Sequence, residues 1–169
     1  MRVSLIANIA ANGKVLLSEN IRYQAPQTAM GIFMEVAARA GNLVLGKKTF
    51  EMLQQVIGNV KAAFPGIELL LIAGSSIPDT GVHVVGSHEE AISYLTAKGY
   101  QEIAVGGGTI TYNAFLDNDL VTDIYFNIHP VIVGNGGVLG ADNELATRFK
   151  LVSSKEIGDN IVQLHYDKA

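Results

Sequence analysis

Between Ile103 and Thr109 the chain sets a short apolar run, Ile103-Ala104-Val105, directly before Gly106, Gly107, Gly108 and a threonine. The apolar run fits a strand covered on both faces. The glycines carry no Cβ, so main-chain N–H groups there stay open to a ligand. Thr109 stands where the next helix begins, with Ile110, Phe115 and Leu116 expected on its inner face. A strand, a glycine turn and a helix N-terminus gather several N–H donors at the positive end of a helix dipole, which suits a phosphate. The same glycines also suit close packing of helix on strand, so both uses stay open.

Two further segments have this character. Gly46-Lys47-Lys48-Thr49 follows the apolar run Leu43-Val44-Leu45, and Gly74-Ser75-Ser76 follows the strand-like run from Glu68 to Ala73. Ligands of open α/β sheets bind beyond the carboxyl ends of the strands, where all three loops would lie. Lys47 and Lys48 offer positive charge, one of them for a 2′-phosphate. Thr49, Ser75, Ser76 and Thr109 offer hydroxyls, and Gly106, Gly107 and Gly108 offer main-chain donors. Together they supply what a phosphorylated dinucleotide needs. The chain has no G-x-G-x-x-G segment, which argues against an ordinary Rossmann domain.

Other chemistry finds less support. With no cysteine there is no disulfide, thiolate metal site or cysteine nucleophile. Asp117, Asp119 and Asp123 lie around a helix-to-strand turn, where Asn118 and Asp119 read as turn residues, and no metal is expected. The four histidines are scattered, and His129 before Pro130 reads as a core or turn residue. No serine lies in a nucleophile elbow. Net charge is −4, with no Lys/Arg cluster interleaved with aromatics, so nucleic acid is not an expected partner. The N-terminus lacks a signal-peptide pattern and no apolar run is long enough for a membrane helix, so a cytoplasmic protein without membrane contact is expected.

The elements that must position these groups can be read from periodicity and punctuation. Arg2 to Ile9 reads as a strand ended by Ala11-Asn12-Gly13, and Lys14 to Tyr23 as a loop. Ala25 to Ala40 fits a helix, with Glu35 and Arg39 one turn apart and Gly41 closing it. A second helix runs from Gly46-Lys47-Lys48-Thr49 to about Ile57, and Val82 to Val85 is a short strand. Ser87 and Glu90 form a capping box for a helix that Gly99 ends. Asp123 to His129 is a strand, and Leu151 to Lys155 and Ile161 to Tyr166 flank Gly158-Asp159 as a hairpin. Helices alternating with strands, then strands alone, predict an α/β fold with a mostly parallel sheet and antiparallel strands at its C-terminal edge. At 169 residues, with 49% hydrophobic residues and no linker or repeat, a single domain over residues 1–169 is expected.

The order of these motifs resembles the dihydrofolate-reductase-like family. The nearer resemblance is to the riboflavin-biosynthesis reductase domain, the RibD C-terminal type. It rests on Ala10-Ala11-Asn12-Gly13-Lys14-Val15, on Leu45-Gly46-Lys47-Lys48-Thr49, on Gly107-Gly108-Thr109-Ile110 and on Pro130-Val131-Ile132-Val133-Gly134-Asn135-Gly136. It implies a dihydrofolate-reductase-like three-layer fold, a mixed mostly parallel sheet flanked by helices with a C-terminal antiparallel hairpin. It further implies NADPH as hydride donor, a homodimer, and an oxidoreductase acting on a small pyrimidine- or pteridine-like molecule. By the same resemblance Gly46, Lys47, Lys48, Thr49, Ser75, Ser76, Gly106, Gly107, Gly108 and Thr109 would hold the cofactor. Asn12, Ser18 and the helix carrying Met30 would face the substrate. Met30 stands where dihydrofolate reductases place a carboxylate, Asn12 where pyrimidine reductases place Asp, and Gly106 where they commonly place Glu. These departures leave the catalytic residues unassigned and motivate the alternative of a non-catalytic NADP(H)-binding sensor or partner.

Overall fold

Alternation along the strands decides which side of the sheet each residue serves. In β1 (Arg2–Ala10), Val3, Leu5, Ala7 and Ile9 face one core while Ile6 faces the other. The same parity holds in β2 (Asn42–Gly46), where Val44 joins the first core and Leu43 and Leu45 the second. The computed structural model of the protein, which describes residues 1–16, 20, 22–74 and 81–169, thus buries the central strands of its sheet on both faces.

The remaining elements are α1 (Thr28–Ala40), α2 (Lys47–Ile57), α3 (Val60–Ala63), β3 (Glu68–Ile72), β4 (His83–Val85) and α4 (His88–Ala97). They are followed by β5 (Glu102–Gly107), α5 (Thr109–Leu116), β6 (Asp123–His129), β7 (Phe149–Glu156) and β8 (Val162–Lys168). The eight strands form one sheet in the order β4-β3-β2-β5-β1-β6-β8-β7. The first six run parallel, and β8 pairs antiparallel with both β6 and β7. Residues of α1, α2 and α3 pack on one face, with Ile32, Val36, Phe50 and Val60 buried there. Helices α4 and α5 cover the other through Ala91, Leu95, Tyr112 and Phe115. This is the three-layer, mostly parallel architecture with an antiparallel C-terminal pair that the sequence predicts.

The connectivity matters for function. From β1 the chain crosses to β2, moves outward to β3 and β4, and returns as β5 between β2 and β1. The loops that follow β1, β2 and β5 are thereby brought to one carboxyl edge. At the opposite edge charged groups clamp the strand starts. The Arg2 guanidinium donates to both Asp123 oxygens at 2.8 Å, and Thr122 and His165 also engage that carboxylate.

Four local expectations are corrected. Helix α1 begins at Thr28 rather than near Ala25. Arg39 pairs with Glu102 at 2.6 Å rather than with Glu35, because Glu102 also accepts from Ser4 and lies where the guanidinium covers the Tyr125 ring. The capping box at Ser87 is half made: Ser87 accepts from Glu90 N, but Glu90 reaches back to Gly86 N at 2.7 Å. Ile110 is 85% exposed; Phe115 is buried and Leu116 packs against the core as expected, joined on that inner face by Thr111 and Tyr112.

Burial raises the Asp123 pKa, but hydrogen bonds from Arg2, Thr122 and His165 outweigh it and hold the carboxyl below its ordinary 3.8. A depressed native pKa contributes stability above the unfolded value and loses it as pH falls through the native one. Asp123→Asn is therefore expected to cost about 2 kcal/mol at neutral pH. That deficit should shrink in acid. Urea titrations of both proteins measure it, and a deficit that does not change with pH would contradict the assignment.

Candidate functional site

The carboxyl edge of the sheet brings two helix N-termini together. Gly46 is the N-cap of α2 and Gly108 that of α5, and neither helix has a side-chain cap or an acid in its first turn. A Cβ placed on Gly46 would stand 3.4 Å from the Gly108 nitrogen, so the two helix starts are in near contact. The first N–H groups of a helix have no intrahelical partner, and here no side chain substitutes for one. The contrast with α4 is direct: Ser87 caps it, and Glu89 and Glu90 fill its first turn. Two uncapped positive ends facing the same space favour an anion.

The hydroxyls around this point support that reading. Thr49 Oγ1 lies 2.9 Å from where a Gly108 Cβ would stand. Thr109 Oγ1 is the only buried side-chain polar atom without a hydrogen-bond partner among the described residues. A buried hydroxyl without a partner is costly, and a ligand oxygen would satisfy it. Lys47 lies in the first turn of α2, 3.7 Å from Glu51, and Lys48 is exposed beside it.

The glycines divide their work. Gly106 and Gly107 belong to β5 rather than to a turn, and both are buried. The pairing of β5 with β2 jumps from Val44↔Val105 to Leu45↔Gly107, so Gly106 is the extra residue of a bulge. A Cβ at Gly106 would meet Leu43 Cδ1 at 2.8 Å, and one at Gly107 the Tyr112 hydroxyl at 2.9 Å. Packing accounts for these two glycines. Gly108, at the helix start, is the one that leaves main-chain donors open.

Inward of the helix starts lies a cavity of about 160 Å³ between the sheet, α1 and α2. Met30, Phe33, Met52 and Leu53 give it apolar walls, and Thr49, Thr109 and Asn8 are polar lining residues. Its Tyr112 hydroxyl donates to the Ile6 carbonyl, and burial drives the phenol pKa far up. Among the described residues that line it, none is an acid, lysine, arginine or histidine.

The remaining expected site residues fall in different places. Asn12 spends its amide on the Val133 main chain, donating to O at 2.8 Å and accepting from N at 3.4 Å, and so anchors the segment after β6. Ser18, Ser75 and Ser76 lie outside the described residues. Asp117 accepts from Ala141 N and Asp119 from Thr147, and Asp119 also pairs with Lys168, so both tie later segments to this turn.

A polar cluster not singled out in the sequence sits behind the cavity. Asn8, Asn127, His129 and Gln163 all lie on the α1 side, and Asn127, His129 and Gln163 are buried. Asn127 Nδ2 donates to the Ala29 carbonyl at 3.2 Å and to Asn8 Oδ1 at 3.1 Å. His129 bridges Asn8 Oδ1 at 3.1 Å and the Tyr23 hydroxyl at 2.9 Å, and burial lowers its pKa. The signal available in the sequence was an asparagine at an inward position of each of two apolar strands.

The sequence profile of the RibD C-terminal domain matches residues 73–163. The chain belongs to that family. The family is generally one of reductases. The chain is 28% identical over 133 residues to the uncharacterized protein YwjB of Bacillus subtilis, covering 75% of this chain and 73% of YwjB. Its fold is similar to that of a Shewanella sp. PV-4 protein assigned to riboflavin biosynthesis, with TM-score 0.80 and 20% identity over 100% of this chain and 99% of that one. It is also similar to a pyrimidine reductase-like protein of Corynebacterium diphtheriae, with TM-score 0.79 and 17% identity over 99% and 92% of the two chains. Among the described residues no helix is long and apolar enough to cross a membrane.

The segment after β6 closes over α5 at one tight point. A Cβ on Gly137 would stand 1.9 Å from Thr109 Oγ1, whereas one on Gly134 meets nothing within 4 Å. Gly137→Ala is expected to cost about 3 kcal/mol by overpacking. Gly134→Ala should stay within about 0.5 kcal/mol of the parent. Denaturant melts of the two variants decide it, and equal stabilities would mean that Gly137 is not held against Thr109.

Proposed function

We propose that the protein is an NADPH-dependent reductase of a small pyrimidine- or pteridine-like heterocycle. The observation that carries this reading is the convergence of two uncapped, acid-free helix N-termini at Gly46 and Gly108. Reductases of the RibD C-terminal family typically use NADPH, and the residues present here fit a phosphorylated dinucleotide. The partnerless Thr109 hydroxyl, the Thr49 hydroxyl and the open N–H groups of α2 and α5 would hold its diphosphate. Lys47 and Lys48, at the first turn of α2, would take the 2′-phosphate. When bound, the cofactor supplies the hydride. The apolar walls formed by Met30, Phe33, Met52 and Leu53 receive a flat ring and exclude water from it. Among the described residues no carboxylate or imidazole lines the cavity, and a proton drawn from solvent fits that lining.

The test is calorimetric binding of NADPH and NADH, followed by loss of NADPH absorbance with diaminopyrimidine and pterin substrates. Saturable NADPH binding with turnover of one of them is expected. Lys47→Ala should weaken NADPH about tenfold, equivalent to about 1.4 kcal/mol, and leave NADH unchanged. Equal loss for both dinucleotides would remove Lys47 from 2′-phosphate recognition. No saturable NADPH binding would overturn the reductase reading.

A further inference from the structure

The amide orientations behind the cavity follow from one group that cannot donate. The Ala29 carbonyl only accepts, so the atom of Asn127 facing it is Nδ2. The same Nδ2 faces Asn8, so the Asn8 atom it meets is the carbonyl oxygen. Gln163 agrees from the far side, donating its Nε2 to Asn127 Oδ1 at 3.2 Å. With Asn8 Oδ1 fixed as an acceptor, His129 carries its proton on Nε2, and its Nδ1 accepts from the Tyr23 hydroxyl. Two donors, from β6 residues Asn127 and His129, therefore lock the Asn8 side chain in one orientation.

The consequence is at the other end of the Asn8 amide. Its Nδ2 has no hydrogen-bond partner among the described residues, and it is not among the buried polar atoms left unpaired. Asn8 is half-buried and lines the cavity, so this NH₂ is open to the occupant. The cavity walls are mostly apolar, and the one ionisable residue among its described lining residues, Tyr112, is committed to Ile6. An oriented donor in apolar surroundings rewards an acceptor and penalises a donor, because the mismatch leaves a buried polar group unpaired.

We infer that Asn8 Nδ2 is the group by which the cavity selects its occupant, taking a carbonyl oxygen of a flat, uncharged ring. Asn127 and His129 are positioning residues: they touch Asn8 and set which atom it presents. The inference deepens the reductase reading and rests on it for the identity of the cavity as the reaction site. A carbonyl of this kind has two sources, a heterocyclic substrate and the carboxamide of a nicotinamide.

Asn8→Asp is the sharpest variant, because it keeps an acceptor for His129 and Asn127 and replaces the inward NH₂ with oxygen. Calorimetric titrations at mildly alkaline pH would use NADPH, diaminouracil, which has ring carbonyls, and tetraaminopyrimidine, which has the same ring without them. The wild-type protein is expected to prefer diaminouracil to tetraaminopyrimidine by about tenfold or more, and Asn8→Asp to abolish or invert that preference. A tenfold loss of NADPH affinity in Asn8→Asp, with the pyrimidines unmoved, assigns the donor to the cofactor carboxamide. If Asn8→Asp does not fold, Asn8→Ser, which lacks the amide and introduces no charge, should lose the same preference without inverting it. Affinities for all three probes that agree within twofold between wild type and variant overturn the inference. Wild-type turnover is read separately: carbonyl selectivity without NADPH oxidation would sink the reductase reading and leave the donor standing.

Discussion

Where a sheet is covered on both faces, as in its central strands here, inward polar side chains meet no water, so each must find a partner inside the protein or remain costly. The two edges of this sheet meet that constraint differently. At the amino ends of the strands the solution is ionic, with Arg2 on Asp123 and Arg39 on Glu102. At the carboxyl ends it is an amide ladder running from Gln163 through Asn127 to Asn8, tied to α1 by the Ala29 carbonyl. The ladder joins β8, β6, β1 and α1 without placing a charge beside the cavity. Two groups stand out from this accounting, the Thr109 hydroxyl and the Asn8 NH₂, and both lie where a ligand would sit.

The helix starts obey a parallel rule. Helix α3 is capped by Asn59 and α4 by Ser87, as N-termini exposed to solvent commonly are. Helices α2 and α5 have glycine in that position and no acid in their first turns. Helix α1 also starts without a side-chain cap or a first-turn acid, so what sets α2 and α5 apart is that their two uncapped starts meet.

Much of this was legible in the sequence because it depends on neighbours along the chain. The strand from Arg2, the helix opened by Ser87, the hairpin around Gly158 and the helix start at Thr109 all follow from short-range pattern. What was illegible depends on register between distant segments. Gly106 reads as a turn residue until β5 is paired with β2, and then becomes a bulge packed on Leu43 and Leu45. Arg39 has a suitable acid one turn away, yet a partner 63 positions distant wins it because Ser4 and Tyr125 prepare that spot. Ile110 fits an inward helical position by type, but the direction of α5 turns it to solvent. His129 could be read as a core residue; its service to Asn8, 121 positions earlier, could not.

The placement of β5 between β2 and β1 also bears on how the molecule is made. Apart from a single bridge between Ile9 and Val15 at its end, the strands that β1 pairs with among the described residues are β5 and β6, both from the second half of the chain. During synthesis the hydrophobic segment from Val3 to Ala10 therefore emerges first and waits longest, with no partner strand until residues beyond Glu102 have appeared. Strands β2, β3 and β4 can already pair with one another, but as a sheet that lacks its central members. The first strand made is an unpaired apolar edge for more than half of translation, a state open to mispairing and to chaperone capture. The same insertion that gathers three loops at one edge means that this edge cannot assemble until β5 has been made.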